Sequence, residues 1–456
     1  MVLATALGGC VRTPPAASRP FTDVPPLSEG GDAELTEQWW TAFEDDALSE
    51  RIDRALGGNF NVAAAWARLA EAEAFRSAQR SQLRPTLDGI ADASRRESSS
   101  DNDSTTLSLG LRAGYEVDLW GRLRAQLRAE ELLTLATAAD LKSAALSLSA
   151  EVTQTWFELA TARLQLELIQ SQLETNETVL GVLERRFVAG QSSSADVLRQ
   201  RQLVEQSREQ ILVAESQVAI LQHALAVLEG SPAQSAGEME AALPAVPPMP
   251  KVALPGELLE RRPDVSAALY RLRSSDERIA AAVRNQYPRL DLAGSLTTAA
   301  EKPGDLFDEV VTTLAAGLVG PIYDGGARRA EVERTAAVRR QRLAEYGQTV
   351  AQAFREVEDA LVLERREASR IDNLELRRQL AVTTYDQLRL QYLNGAADFL
   401  DVLSALSQQQ QIERDVLTAR LDRLTYRVAL YRALAGGFDV PQTTVYGSDA
   451  SGDALE

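Results

Sequence analysis

The stretch Phe187–Leu198, FVAGQSSSADVL, recurs 205 positions later as Tyr392–Leu403, YLNGAADFLDVL (392 − 187 = 205). Both copies carry a glycine at their fourth position, Gly190 or Gly395, and both end in Asp-Val-Leu with no gap needed to align them. A period this long indicates one whole structural unit made twice, rather than a solenoid of small repeats. The sequence therefore predicts two pseudo-symmetric halves in an architecture that closes around an axis.

The composition favours long helices over a conventional bulky core. Of the 456 residues, 45% are hydrophobic but only 5% are aromatic, and alanine, leucine, glutamine, arginine and glutamate dominate, which is the composition of long helices. The formal net charge of −18 argues against partners such as nucleic acid or an anionic lipid surface. No stretch is expected to reach the length of a transmembrane helix.

One very long helix is predicted in each half. No proline interrupts the chain from about Leu123 to Phe187 or from about Arg328 to Tyr392. At 1.5 Å per residue, each helix would be on the order of 100 Å long. A glycine turn and a return helix, over about 194–229 or 398–435, follow each of them. Such antiparallel pairs are coiled coils rather than compact domains.

Beyond Pro85 and Pro288 the period of apolar residues changes from 3.6 to 2, which predicts a β-hairpin with one apolar and one polar face in each half. Four such strands do not close a barrel, because the smallest closed barrels need about eight. Unpaired strand edges are excluded from a bilayer. Two copies would supply eight strands and three would supply twelve. The alternative interpretation is the edge of a soluble β-sandwich.

Cys10 is the only cysteine, so the chain forms no internal disulfide. The run Leu7-Gly8-Gly9-Cys10 resembles a bacterial lipobox, which predicts lipid attachment at Cys10; the alternative is an ordinary free cysteine near a terminus. The preceding segment is shorter than a signal peptide and lacks a basic start. Val11 follows the cysteine, which by analogy favours export to the outer membrane.

Several motifs spread over nearly the whole chain carry a resemblance to a known family. They are Trp39-Trp40, Asp118-Leu119-Trp120-Gly121-Arg122, Leu259–Val265, Pro321–Gly326 and the two glycine turns. The chain resembles the TolC-like outer-membrane factors, and among them the lipoprotein type paired with resistance-nodulation-division efflux pumps. The resemblance implies a lipid-anchored homotrimer in the bacterial outer membrane, with a twelve-stranded barrel continued by a twelve-helix periplasmic tunnel. It would export small molecules delivered by an inner-membrane pump and a periplasmic adaptor.

The expected fold class is mainly α with a small transmembrane β part, internally duplicated. The expected organisation has six segments: 1–10, a signal remnant with the lipobox; 11–58, an N-terminal tether and equatorial segment; 59–230, the first repeat with its β-hairpin over 85–120; 231–258, an equatorial linker; 259–437, the second repeat with its β-hairpin over 288–325; and 438–456, a C-terminal equatorial tail.

Two aspartates are candidates for an acidic ring at the closed periplasmic end. The resemblance places Asp401 at the first of two family positions, but Ser404 stands at the second, and Asp398 lies one helical turn before Asp401. Three copies of these carboxylates would attract cations. The alternative for Asp398 is capping of the helix after the glycine turn, and Asp196, the counterpart of Asp401, is equally consistent with a structural role.

The two turns also admit two interpretations. Glycine ends a helix in the left-handed conformation, and this alone explains Gly190 and Gly395. The resemblance additionally implies that the turns contact the adaptor. The expected contact residues are Val188, Ala189, Gly190, Gln191, Asn394, Gly395 and Ala396.

Polar positions in the first long helix, Gln154, Gln165, Gln172 and Asn176, are expected to line either the interior of the tunnel or its outside. Catalysis is not expected, since His223 is the sole histidine and no nucleophile, phosphate-loop or zinc motif is present. No catalytic residue, metal site or cofactor is predicted. The rival function is a soluble or peripheral coiled-coil scaffold.

Overall fold

A computed structural model describes residues 28, 30–97, 104–233, 242–252, 260–434 and 437–442. A short 3₁₀ helix, Trp39–Phe43, precedes the regular elements. The α-helices are α1 (Asp46–Gly58), α2 (Phe60–Ser81), α3 (Arg122–Val188), α4 (Ser194–Leu228), α5 (Pro263–Arg284), α6 (Ala327–Leu393) and α7 (Phe399–Leu434), and the strands are β1 (Thr86–Arg96), β2 (Ser104–Val117), β3 (Arg289–Ala300) and β4 (Val310–Val319).

These elements belong to two compact units. The described residues of the first, called the sheet unit, lie within Ala67–Asp140 and Asp264–Thr349. Those of the second, called the hairpin unit, lie within Val24–Trp66, Leu141–Pro263 and Val350–Glu456. Each unit takes residues from both halves of the sequence.

The long helices confirm the predicted duplication. Helices α3 and α6 each contain 67 residues, and each begins one residue before and ends one residue after its predicted bounds. The expectation that no stretch reaches the length of a transmembrane helix is wrong for α4. By length and composition α4 passes that test, although only 17% of its most apolar stretch is buried.

The four strands form one antiparallel sheet in the order β1-β2-β3-β4. Leu111 of β2 lies opposite Gly89 of β1 and Leu296 of β3. Because directly opposed residues share a face, one face takes the odd-numbered residues of β1 and β2 and the even-numbered residues of β3 and β4. One face carries exposed leucines: Leu87, Leu109, Leu111, Leu292, Leu296, Leu314 and Leu318. The other face carries Asp88, Arg112, Glu116 and Asp291. The predicted alternation is confirmed.

Among the described strands, β1 and β4 each have a neighbour on one side only. The apolar side chains on β4 are unusually exposed, with Leu314 at 87%. An open sheet with a leucine face and two free edges is unstable as a water-exposed surface and impossible in a bilayer unless the edges find partners.

The motif Asp118–Arg122 fixes the junction between β2 and α3. Asp118 accepts hydrogen bonds from the backbone amides of Leu123 (3.1 Å) and Arg124 (3.0 Å) and so caps α3. Burial raises the pKa of Asp118, but the bonds from Arg124 and Leu123 outweigh it and leave that pKa below its ordinary value. Trp120 donates its indole N–H to the carbonyl of Pro288 at 2.7 Å, which ties the two halves together within the sheet unit.

An aromatic cluster forms part of the core of the hairpin unit. Trp39 is fully buried and packs against the rings of Trp40 (5.9 Å between centroids), Phe43 (6.4 Å) and Tyr431 (5.7 Å). Phe43 continues the cluster onto Phe157 of α3 at 5.0 Å. These few aromatic residues make a local bulky core of the kind that the composition argues against.

The segment 242–252 belongs to the hairpin unit, where it contacts a buried arginine of α7. Arg427 donates to both carboxylate oxygens of Glu364 and to the carbonyls of Pro247 and Pro248, and its Nη2 lies 3.8 Å from the sulfur of Met249. Arg427 and Glu364 are each only 2% exposed. Because every donor direction of the guanidinium is used, this buried ion pair is fully satisfied.

Candidate functional site

The first hairpin turn follows α3 and is a Schellman motif. The Gln191 amide donates to the Arg186 carbonyl at 2.8 Å and the Gly190 amide donates to the Phe187 carbonyl at 2.9 Å. Gly190 has a φ of +73°, and a Cβ added there would meet nothing within 4 Å. The left-handed backbone, rather than a lack of space, therefore selects glycine.

The second turn, after α6, repeats this geometry. The Ala396 amide donates to the Gln391 carbonyl at 2.8 Å, the Gly395 amide donates to the Tyr392 carbonyl at 3.0 Å, and Gly395 has a φ of +74°. All seven predicted contact residues, 188–191 and 394–396, are exposed. Val188 is 88% exposed, which is unusual for a branched apolar side chain at the end of a helix.

A tip cluster joins the two turns within the hairpin unit. Leu183, Val197, Phe399 and Val402 form its buried centre. Tyr392 packs against Phe399 at 5.6 Å, and the Arg186 guanidinium lies 4.9 Å from the ring centroid of Tyr392. Because these contacts connect both halves of the sequence, the two turns are presented together at one end of the unit.

Asp196 has a structural role in the first hairpin. Its backbone amide donates to the Ser193 hydroxyl at 3.2 Å, and its carboxylate accepts from the Ser193 amide at 3.1 Å, which forms a capping box at the start of α4. This arrangement agrees with the structural alternative for Asp196.

Asp398 and Asp401 occupy the same two positions before and inside α7 (193 + 205 = 398; 196 + 205 = 401). Both side chains are exposed. Among the hydrogen bonds of the described residues, none is donated to either carboxylate, in contrast with the capping box of Ser193 and Asp196. The arrangement does not show the predicted capping bond of Asp398. It leaves both carboxylates available to solvent or to a ligand.

In the trimeric channel that the resemblance implies, replacing Asp401 by asparagine is expected to weaken block by multivalent cations by about tenfold, because a threefold ring of carboxylates would concentrate counterions. The measurement is the dependence of single-channel conductance on added multivalent cation. Asp196→Asn is the matched control, since its carboxylate is used in the capping box. Equal block in wild type and Asp401→Asn would exclude Asp401 from the ring.

The expected exposure of Gln172 and Asn176 is wrong. Both are buried, at 5% and 0% exposure. Asn176 donates to the Ser207 hydroxyl at 2.9 Å and accepts from Gln410 at 3.0 Å, while Gln200 donates to the Asn176 carbonyl at 2.9 Å. These side chains form a polar layer between α3, α4 and α7 instead of lining an aqueous surface.

A polar cavity of about 310 Å³ in the sheet unit was not anticipated from the sequence. Its lining includes Gln79, Arg122, Gln126, Arg278 and Arg334. Arg122 donates to both carboxylate oxygens of Glu116 (2.8 Å), a residue on the polar face of the sheet. The cavity therefore adjoins the polar side of the sheet. Helix periodicity alone gives no signal for it, because its residues come from four separate helices.

Cys10 lies outside the described residues. Among the residues that the structure describes, no group of three or more histidine, cysteine, aspartate or glutamate side chains is placed to hold a metal ion.

A family model described as "Outer membrane efflux protein" matches residues 51–231 and 254–436. These two matches cover most of the chain and correspond to its two halves.

Individual proteins give the same result over almost the whole length. The chain is 31% identical over 429 residues to the pyoverdine export outer membrane protein OpmQ of Pseudomonas aeruginosa, covering 89% of each chain. It is 30% identical over 475 residues to outer membrane protein OprJ of the same species, covering 98% of this chain and 96% of OprJ. The solved structure of CusC, described in terms of transmembrane channel formation, matches with a TM-score of 0.86 at 25% identity, covering 93% of this chain and 99% of that one.

Proposed function

This chain belongs to the outer membrane efflux protein family, and from that membership we propose that three copies form the outer-membrane channel of a tripartite efflux system. The duct would extend through the periplasm and export small molecules delivered by an inner-membrane pump, of the resistance-nodulation-division type, through a periplasmic adaptor. The family match supports this function and not the alternative of a coiled-coil scaffold. We propose no catalytic role and no cofactor.

The open four-stranded sheet is the observation that supports a closed oligomer most strongly. Its leucine face suits contact with lipid, and its polar face suits a water-filled lumen. The outer edges of β1 and β4 have no partner strand among the described residues. Both edges are paired if copies of the chain meet with β1 of one copy beside β4 of the next. Three copies would give a twelve-stranded barrel.

The two turns are the proposed contact surface for the adaptor. Their seven residues are exposed, lie at one end of the hairpin unit and are held rigidly by paired Schellman motifs. A photo-reactive amino acid placed at Val188 or Ala396 is expected to cross-link in cells to a periplasmic protein that mass spectrometry identifies as an adaptor. The same probe at the exposed Glu174 on α3 serves as the control. Equal capture at all three positions would count against a dedicated contact at the turns.

Lipid attachment at Cys10 is proposed from the lipobox alone. The expected result is a membrane-bound protein whose N-terminal peptide carries an acyl mass and incorporates labelled palmitate. Cys10→Ala should lose the label while keeping the barrel in the outer membrane. An unmodified Cys10 thiol in the wild-type protein would exclude the anchor without affecting the channel.

A further inference from the structure

The duplication allows contacts in one half to be compared with open positions in the other. An offset of 205 maps α3 onto α6 from end to end (122 + 205 = 327; 188 + 205 = 393) and maps the start of α4 onto that of α7 (194 + 205 = 399). Within one chain, α7 packs against the α3–α4 hairpin. By the same relation, the helix that packs against the α6–α7 hairpin would be the counterpart of α7, which is α4 of a second copy of the chain.

The observed contact between α7 and α3 is polar and buried. Arg414 of α7 donates to the side-chain oxygen of Gln172 at 2.6 Å. One turn away, Gln410 donates to the side-chain oxygen of Asn176 at 3.0 Å. Burial lowers the pKa of Arg414, in agreement with its position between helices. These two contacts define the axial register of α7 against α3.

The same offset carries Gln172 to Arg377 on α6 and Arg414 to Glu209 on α4 (172 + 205 = 377; 414 − 205 = 209). These two residues have opposite charges, and both are exposed. Among the described residues, neither makes an ion pair within its own chain, whereas the adjacent Arg378 is paired with Glu375 at 2.8 Å. Where the first hairpin has the hydrogen-bonded pair of Gln172 and Arg414, the equivalent positions carry two opposite charges that are unpaired among the described residues.

The shape of the two surfaces agrees with this comparison. Ala381, Ala405 and Ile412 occupy the positions of Asn176, Gln200 and Ser207, and with Arg377 they line an open groove of about 240 Å³ between α6 and α7. The groove on the second hairpin therefore occupies the position at which the first hairpin contacts α7.

The face of α4 that would enter this groove is uncovered. Leu198 is 63% exposed and Val213 is 64% exposed. Their counterparts on α7 are Leu403, which packs against the tip cluster, and Thr418, which is hydrogen-bonded by Gln165 at 3.2 Å. The apolar side chains of α4 therefore lack the cover that the equivalent face of α7 has.

We propose that α4 of a second copy of this chain lies in the groove between α6 and α7, and that Glu209 of that copy pairs with Arg377. This inference rests on the proposed oligomer and adds the helix register at which its copies meet. The occupant is a second copy rather than an adaptor because the duplication supplies both the groove and the helix that fits it.

Charge reversal tests the pair. Arg377→Glu and Glu209→Arg, each alone, are expected to raise the dissociation constant of the oligomer about tenfold or more at the temperature where wild type is half dissociated, because each places like charges together. The double variant should recover most of this loss. Arg378→Glu combined with Glu209→Arg is the matched control and should show no recovery.

Cross-linking gives a second measurement that does not depend on stability. Arg377→Cys with Glu209→Cys, treated with a short thiol-to-thiol reagent, is expected to give products of two and three chains. Gln172→Cys with Arg414→Cys should react only within one chain, and the wild-type chain with its single Cys10 is the blank. A wild-type trimer that shows neither cross-linking nor recovery in the double variant would overturn this register but not the oligomer, as would a cross-link to a different protein. A wild-type protein that forms no oligomer would overturn both.

Discussion

Arg427→Met is expected to lower the free energy of unfolding by about 3–5 kcal/mol, because it leaves the buried carboxylate of Glu364 without its partner. The same change removes the donors to the carbonyls of Pro247 and Pro248. The segment 242–252 would lose these hydrogen bonds to α7 and keep its apolar contacts through Met249 and Val252. Denaturant unfolding of the detergent-solubilised protein measures the change.

Two further variants show whether the cost comes from the buried charge. Arg420→Met removes another arginine of α7, but its pair with Glu375 (2.7 Å) is half exposed, so the expected loss is below about 1 kcal/mol. Arg427→Met with Glu364→Met should recover part of the loss, since replacing both charges by apolar groups is far less costly than orphaning one. Equal losses in Arg427→Met and Arg420→Met would contradict the role given to Arg427.

Trp39→Ala is the second change with a large expected effect, a loss of about 3–5 kcal/mol in the free energy of unfolding, since it removes a large, fully buried aromatic side chain. Trp39 contacts the rings of Trp40, Phe43 and Tyr431, so its loss opens a cavity bordered on several sides. The expected signature is a lower unfolding midpoint of the hairpin unit.

The control for this prediction is Trp39→Phe. The indole N–H of Trp39 is buried and has no hydrogen-bond partner among the described residues, so phenylalanine removes an unsatisfied donor while keeping much of the apolar volume. It should cost much less than alanine. Phe60→Ala, at an exposed aromatic on α2, should have little effect. If Trp39→Phe were as damaging as Trp39→Ala, the indole N–H would have a partner that the contacts do not include.

Local signals predict most of the fold from the sequence. The bounds of α3 and α6 follow from the absence of proline and from Gly190 and Gly395, whose left-handed backbone ends each helix. The strands follow from alternation of apolar residues, and the register of the sheet keeps that alternation on one face. Each of these signals is contained within a few neighbouring residues.

The features that sequence analysis missed depend on distant partners. Asn176 is buried because Gln410 reaches it from 234 residues away, and nothing near Asn176 in the sequence indicates this. The buried pair of Arg427 and Glu364 likewise needs the carbonyls of the segment 242–252. At the site, the repeat correctly aligns Asp196 with Asp401. Their different hydrogen bonding arises because Ser193 is replaced by Asp398.

The most direct test of the channel is single-channel conductance of the detergent-purified protein in a planar bilayer, with the mass of the oligomer determined in parallel. A trimer with a small, stable, cation-selective conductance is predicted, because in the proposed assembly three four-stranded sheets would close into a barrel and a ring of carboxylates from Asp398 and Asp401 would attract cations. A water-soluble monomer or dimer without conductance would contradict the proposed channel.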